Sequence, residues 1–507
     1  MRWTLSVVIV GVLGLAVGLL VLDHYSVGVF HDDAMYVILA RSIATGQGYR
    51  YLNLPGTPVA SHFPPGYPLL LALLWRIGPE FPQNVVLLKA VNALCLAASA
   101  TLVAQLVRER LDSRAWGLTL GVATAVSVPV LILAAMVLSE PFFLALVLLA
   151  LLLGERLLER GPSPRRALII GLLIGAATLV RAQGVVLALA LVIALMRRDR
   201  RREAALAAAG TLALLVPWQL YLMLSDTAVA APLAGNYGSY ASWWVRGLRD
   251  MGARMIPLTL AHTVPESTAV LVTLLSPFRG AAGRLVIVLA LGVLLAAGGV
   301  TLARRAPLTA LFLAGYTAIV ILWPFPPARF IWGVWPLVLF LVAAGGWSST
   351  QQDVWPTPFR AALATLFALL VLGHVVYEAR AVAGRWWQSI PREQSLRIET
   401  AVDWTRRNTS PGDLVAADDE GAIFLYTGRK SIPVMSFTTA HYLESRSAAT
   451  EANEGLAPLI ARYPIGVVLV NGRRTLDAAQ YLASKPQPVL TPRDTFPGGA
   501  AFTVLKR

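Results

Sequence analysis

Two adjacent carboxylates, Asp32 and Asp33 in the stretch HDDAMY, stand just after the first apolar run of this chain and just before an amphipathic one. Neighbouring acids repel and hold water. A pair kept at the edge of hydrocarbon is therefore a candidate general base, because burial raises a carboxyl's pKa and nearby cations restore its charged form. An N-cap before AMYVILA accounts for one of the two by satisfying helix amides, but it does not require both. Four other residues invite a chemical reading. Glu140 precedes a proline in LSEPFF, Arg181 interrupts an apolar stretch in LVRAQG, Arg329 opens one in PARFIWGVWPLVLF, and His62 sits at the mouth of a Pro-Pro-Gly turn in ASHFPPGYPLLLALLW. Each has a plain alternative: an acid stabilised by a helix dipole, an interfacial arginine that snorkels, a histidine that only hydrogen-bonds. Against that stands the cost of any charge near a bilayer, which favours keeping one for a ligand.

The elements that must position these residues are membrane helices. Of 507 residues, 56% are hydrophobic and 14% charged, against roughly 25% charged in a soluble domain. The formal charge of +15 does not point to nucleic acid, because the arginines fall in short clusters between apolar spans, as positive-inside topology requires. At about 20 apolar residues per span, the sequence predicts about 11 transmembrane helices, near 4–22, 84–107, 116–136, 141–156, 167–180, 183–196, 204–224, 285–303, 307–324, 330–346 and 359–378. The first is too long for a signal-peptide core and lacks a clean cleavage site, so it reads as a retained helix. With the N-terminus inside, the inside loops hold Arg108, Arg110, Arg114, Arg156, Arg160, Arg165, Arg166, the block RRDRRR at 197–202, Arg304 and Arg305. Arg181 and Arg329 are the exceptions on the outside, and the C-terminal tail falls outside as well. Cys95, the single cysteine, lies in an apolar run and allows no intramolecular disulfide.

Two outside loops are long. The first, 23–83, holds the acidic pair and two interfacial amphipathic stretches. The second, 225–284, is hydrophobic but broken by His262, Pro265 and Glu266. A span there would invert everything downstream, so it reads as interfacial or re-entrant. Its Tyr237, Tyr240, Trp243 and Trp244 suit either sugar stacking or interface anchoring. The membrane domain thus covers 1–379, and 380–507 reads as a small extracytoplasmic α/β domain. There DLVAA and PIGVVLVN are strands and DEGAIFLYTG is a helix or turn. No P-loop or dinucleotide turn is present in the sequence.

Taken in order, the acidic pair after the first helix, YVILARSIATGQGY, HFPPGYPLLLALL, LSEPFF, LVRAQG, VPWQLY and PARFIWGVWPLVLF resemble the C-fold integral membrane glycosyltransferases of family 39, the group of protein O-mannosyltransferases and the lipid A aminoarabinose transferase. The likeness covers about 1–346. It implies inverting transfer of a sugar from a polyprenyl-phosphate donor to an acceptor hydroxyl of a glycan, lipid or protein on the outer face of a bacterial inner membrane. Asp32 is then the base and Asp33 its partner or an acceptor contact. Arg329, Arg181 and His62 are implied as donor phosphate-binding residues, and Glu140, Tyr67, Trp243 and Trp244 as substrate-binding ones. Many relatives carry a lysine where this chain has Phe63, so either His62 or Lys89 replaces that contact or the donor differs. No metal site and no obligatory cofactor are expected, although two carboxylates beside a phosphate would admit Mg²⁺. The competing class is a transporter or flippase, against which stand the gathering of charge at one face and the absence of matched halves.

Overall fold

The computed structural model describes residues 2–278, 280–351 and 356–505. Arg279 of the second loop and the last two residues of the C-terminal segment lie outside the described residues. Every apolar run named above forms a helix: Arg2–Leu20, Val85–Leu111, Arg114–Val126 with Val128–Ala134, Glu140–Glu159, Pro164–Val180, Val185–Met196, Arg201–Leu224, Ala281–Arg305, Pro307–Leu322, Trp335–Ser348 and Thr357–Ala383. Leu5, Val8, Ile9 and Val12 are each more than half exposed, as side chains facing lipid are. Among the described residues, seven helical stretches are long and apolar enough to cross a membrane unaided, eight if the pair bent by 49° at Ser127 is one span. Several of the remaining helices are only 12–17 residues long.

One of the seven is Tyr240–Leu275, in the loop that the arginine pattern assigns to the interface. Contacts inside the helical unit show how that stretch runs. Its helices meet at two ends. At the basic end, the indole N–H of Trp3 donates to Gln105 at 2.8 Å, Arg110 pairs with Glu159, Arg156 Nε donates to Glu109 at 2.9 Å, and Arg305 lies over Trp347. At the other end, Asn92 donates to the carbonyls of Met136 and Leu138, Arg181 and Arg329 meet Glu140, and Glu378 accepts from Ser127 and the Val128 amide. Successive helices alternate between these ends. From Thr259 onward, hydrogen bonds among the described residues tie the disputed stretch to the second: Thr263 Oγ1 donates to the carbonyl of Ile321 at 2.5 Å, and the carbonyl of Leu274 meets His374, one turn before Glu378. Length alone would let it span, but these two contacts lie in the same half of its neighbours. The interfacial reading therefore agrees with these contacts, and the arginine alternation survives it.

Small residues allow close helix crossings. A Cβ on Gly171 would lie 2.1 Å from the Ala207 carbonyl oxygen and one on Gly210 would lie 2.5 Å from that of Leu168, so Pro164–Val180 and Arg201–Leu224 pack backbone to backbone, as small residues permit in membranes. Gly171→Val must push these helices apart, and we expect a loss of about 1–3 kcal/mol of stability, read as a lower unfolding temperature in detergent, with Gly161→Val, beside open space, as the control.

The chain does not divide at 379. One compact unit comprises Met1–Leu22, Lys89–Trp218 and Thr259–Ser389; the other gathers Asp23–Leu88, Gln219–Leu258 and Ile390–Arg507. The expected α/β segment is thus joined to both long loops, because its core needs them: Ser26 N donates to Ser395 Oγ, Val27 N to the Tyr426 hydroxyl, and Ser431 N to the Asn53 carbonyl. Its sheet has strands β1 (Leu414–Ala417), β2 (Ser431–Pro433), β3 (Ile465–Val470), β4 (Leu490–Phe496) and β5 (Gly499–Val504), in the order β2-β1-β3-β5-β4. The first three are parallel and the last two antiparallel. β1 is buried along its whole length, as a parallel central strand should be, and the helix Glu420–Thr427 leaves its carboxyl end.

Candidate active site

The acidic pair opens the helix Asp32–Ala44, where negative charge suits the dipole. Its two members have different environments. Asp33 is 1% exposed; its Oδ2 accepts from Gly28 N at 2.7 Å and Val29 N at 3.1 Å, and its Oδ1 from Phe30 N at 3.0 Å. Burial pushes its carboxyl up from the ordinary range; the three amides oppose that shift and the Asp32 charge adds to it. Both oxygens of Asp33 are engaged by the loop it folds over, so an acceptor contact is not its role here. Gly28 is part of the same device, with φ of 116° and room for no Cβ, which would lie 2.7 Å from Ala422 Cβ.

Asp32 is partly exposed. Its charge is felt by His31, His62 and Tyr442, so it sits among imidazoles and a phenol with a face to solvent. His31 holds a left-handed backbone, φ 61°, a conformation that a non-glycine residue keeps only when its surroundings enforce it. Its Nδ1 is 3.5 Å from Oε1 of Glu420, a 1% exposed carboxylate. The Tyr237 hydroxyl donates to that same oxygen at 2.8 Å, and Asn53 Nδ2 donates to Tyr237 at 2.8 Å. Burial disfavours the imidazolium, but Glu420 together with Asp32 and Asp33 outweighs it and carries the His31 pKa up to about 9.

His62 follows the opposite course. Its Nδ1 faces the Gly238 carbonyl at 2.6 Å and its ring lies 4.0 Å from that of Tyr240, and burial brings its pKa down to about 4. A carbonyl can only accept, so Nδ1 carries the hydrogen and Nε2 is left as an acceptor. A neutral ring presenting a lone pair does not bind phosphate, which corrects that expectation for His62. Of the two residues offered in place of the missing lysine, this leaves Lys89, which is 2% exposed on Val85–Leu111, one turn before Asn92.

The aromatic candidates divide as well. Tyr67 is fully buried, edge-on to Tyr36 at 5.2 Å. Trp243 is 2% exposed, and its indole N–H donates to the Phe437 carbonyl at 3.1 Å. Neither ring offers a face to a sugar, so both are core residues in this structure. Trp244 remains half-buried.

In the helical unit the other charged candidates form a single cluster. Glu140 opens Glu140–Glu159, with Ser139 before it and Pro141 in the first turn. It is 2% exposed, and its Oε1 takes Arg329 NH2 at 2.6 Å, Arg329 Nε at 3.1 Å and Arg181 NH1 at 3.0 Å. Arg181 also donates to Ser139 Oγ at 3.0 Å. All three contacts fall on one oxygen, and Oε2 is buried without a hydrogen-bond partner. Two guanidiniums meet at one carboxylate, and their fixed N–H forks are the donors that suit an anion's oxygens. Glu140 therefore acts on the arginines, whereas the sequence pointed it at substrate. Among the described residues, no group of three or more His, Cys, Asp or Glu side chains is placed to hold a metal ion.

The sequence reading missed His31 and Glu420. A histidine directly before the acidic pair was the one available signal; Glu420 stands 388 positions further on and had none.

Residues 62–221 match the family described as dolichyl-phosphate-mannose-protein mannosyltransferase. No curated protein matches the chain. Among solved structures, ArnT from Cupriavidus metallidurans bound to undecaprenyl phosphate aligns over 98% of this chain and 97% of its own, at 15% identity and a TM-score of 0.55. The same protein in the apo state gives 14% identity over 99% and 98%, with a TM-score of 0.57. The Archaeoglobus fulgidus oligosaccharyltransferase in complex with Zn and sulfate aligns over 92% of this chain and 67% of its own, at 16% identity and a TM-score of 0.53. At such identities the likeness is one of fold. The chain thus has the polytopic helical membrane fold of these structures, and its residues 62–221 are similar to the mannosyltransferase family.

Proposed function

We propose that this protein transfers a sugar, with inversion, from a polyprenyl-phosphate donor to an acceptor hydroxyl. The observation that carries the reading is the division of labour in the acidic pair: Asp33 holds the loop while Asp32, beside His31, keeps a face to solvent. Asp32 takes the hydroxyl proton, the acceptor oxygen attacks the anomeric carbon, and the C–O bond to the phosphate breaks with its electron pair leaving on the phosphate. That leaving group needs cations more than a proton. Arg329 and Arg181, which meet at Glu140, are the residues we assign to it, and Lys89 is the remaining candidate cation. Trp244 is the aromatic residue we retain for contact with substrate. The match of residues 62–221 to a mannosyltransferase family and the undecaprenyl phosphate bound by the similar C. metallidurans protein support a lipid-phosphate donor.

The basic end of the helical unit belongs in the cytoplasm by the positive-inside rule, so we place the chemistry on the outer face of a bacterial inner membrane. The test is release of undecaprenyl phosphate from a panel of undecaprenyl-phosphate hexoses and pentoses by membranes containing the protein, with the anomeric configuration of the product read by NMR. Consumption of one donor with inversion is the expected result. If no donor is consumed while a labelled lipid-linked sugar crosses proteoliposomes, the protein is a flippase.

A further inference from the structure

In the loop-and-sheet unit, a buried side chain of the C-terminal segment reaches the histidine that precedes the acidic pair. Glu420 begins the helix leaving the carboxyl end of β1, and that helix has no room to drift. A Cβ on Gly421 would lie 2.6 Å from Met35 Cε and 2.7 Å from Ala34 Cβ, so the helix is pressed onto Asp32–Ala44 at its first turn. Ser431 Oγ donates to the Glu420 carbonyl, and Ser431 N donates to Asn53, whose amide in turn holds Tyr237. A carboxylate buried this far is costly unless it has a counter-charge. The Tyr237 hydroxyl donates to it, and the imidazole of His31 at 3.5 Å supplies the charge. The ring of His31 also stands edge-on to Tyr237 at 6.4 Å.

We propose that Glu420, acting through His31, is a positioning residue for Asp32: the C-terminal segment completes the base by fixing a cation beside it. The inference rests on the reading of Asp32 as the base. The groups that face His31 are Glu420 from the C-terminal helix, Tyr237 from the second loop, Asp32 and Asp33 from its own helix, and His62 from the turn. Asp32 must be ionised to accept a proton, and an adjacent imidazolium favours that form. The sign follows from linkage. His31 has a folded pKa of about 9, above the 6.5 of an ordinary imidazole. Its contribution is complete below about pH 6.5 and is lost as pH rises through about 9.

The experiment is a titration of the full-length protein in detergent by histidine hydrogen–deuterium exchange, read by mass spectrometry for the peptide carrying His31, on wild type, Glu420→Gln and Tyr237→Phe. We expect His31 to titrate near pH 9 in wild type and close to that in Tyr237→Phe, which keeps the Glu420 charge. In Glu420→Gln it should fall well below that, because burial is then opposed only by the smaller effects of Asp32 and Asp33. The pH profile of donor consumption, measured with whichever undecaprenyl-phosphate sugar wild type uses, should show its acid limb at higher pH in Glu420→Gln, with kcat reduced more than KM is raised. His31→Gln, which removes the cation without touching the carboxylate, should move that limb the same way and covers the case in which Glu420→Gln does not fold. An unchanged His31 titration in Glu420→Gln, or an unmoved acid limb in both variants, overturns the inference. If wild type consumes no donor, the transferase reading falls, and the His31 titration still decides whether Glu420 controls that ring.

Discussion

Asp32→Asn lowers turnover by ~10²–10⁴-fold, the range for loss of a general base, at an unchanged amount of folded protein and with donor KM little altered. Asparagine keeps the size and the polarity of the helix start but cannot take a proton at neutral pH. The neighbouring variant, Asp33→Asn, should behave differently. It disturbs the acceptor of three loop amides and so acts first on stability, since a disrupted buried charge-assisted hydrogen bond costs about 1.5–3 kcal/mol. Turnover and thermal unfolding of the two variants, measured side by side, separate the roles. Equal loss of turnover in both at equal stability would show that the pair acts as one group and that the assignment to Asp32 alone is wrong.

Arg329→Ala is the second large effect. Two of the three contacts on Glu140 Oε1 come from Arg329, so the variant leaves a 2% exposed carboxylate with Arg181 alone. Stranding a buried charge completely costs about 3–5 kcal/mol; with one partner kept, we expect a loss of about 1–3 kcal/mol. If Arg329 also holds the donor phosphate, donor KM rises ~10–100-fold, the equivalent of one charge-assisted contact. The double variant Arg329→Ala with Glu140→Gln distinguishes these terms. Neutralising Glu140 as well takes the carboxylate from Arg181, so stability should be regained only in part, and donor KM should stay high. Recovery of both together would mean that the arginine serves only Glu140.

These outcomes bear on how much was legible in the chain. The helices were, because each apolar run is bounded by arginines or prolines and no other element lets such a run satisfy its backbone in lipid. Glu140, Arg181 and Arg329 could be named separately as charges at helix ends, but their meeting could not. Residues 140, 181 and 329 share no periodicity, and only the bundle brings both arginines to one carboxylate oxygen. The acidic pair was visible and its asymmetry was not, since the choice between Asp32 and Asp33 depends on where the amides of residues 28–30 turn. Tyr67 and Trp243 were misread for a common reason. A type of residue that suits a ligand also suits a protein core, and burial decides between them. The unit boundary at 379 failed because composition changes there while packing does not respect it: Ser26, Val27 and Asn53 are bonded to residues nearly four hundred positions away.

That long reach has a consequence in time. A ribosome delivers the acidic helix near the beginning of synthesis and Glu420 near the end, and β5, which sits inside the sheet between β3 and β4, emerges later still. The membrane helices can insert one after another as they appear. The first loop meanwhile waits with its polar groups in water and its apolar residues uncovered, since partners so far along the chain cannot close on it early. Each nascent molecule is therefore anchored long before it is competent, and the acidic site is among the last things it finishes.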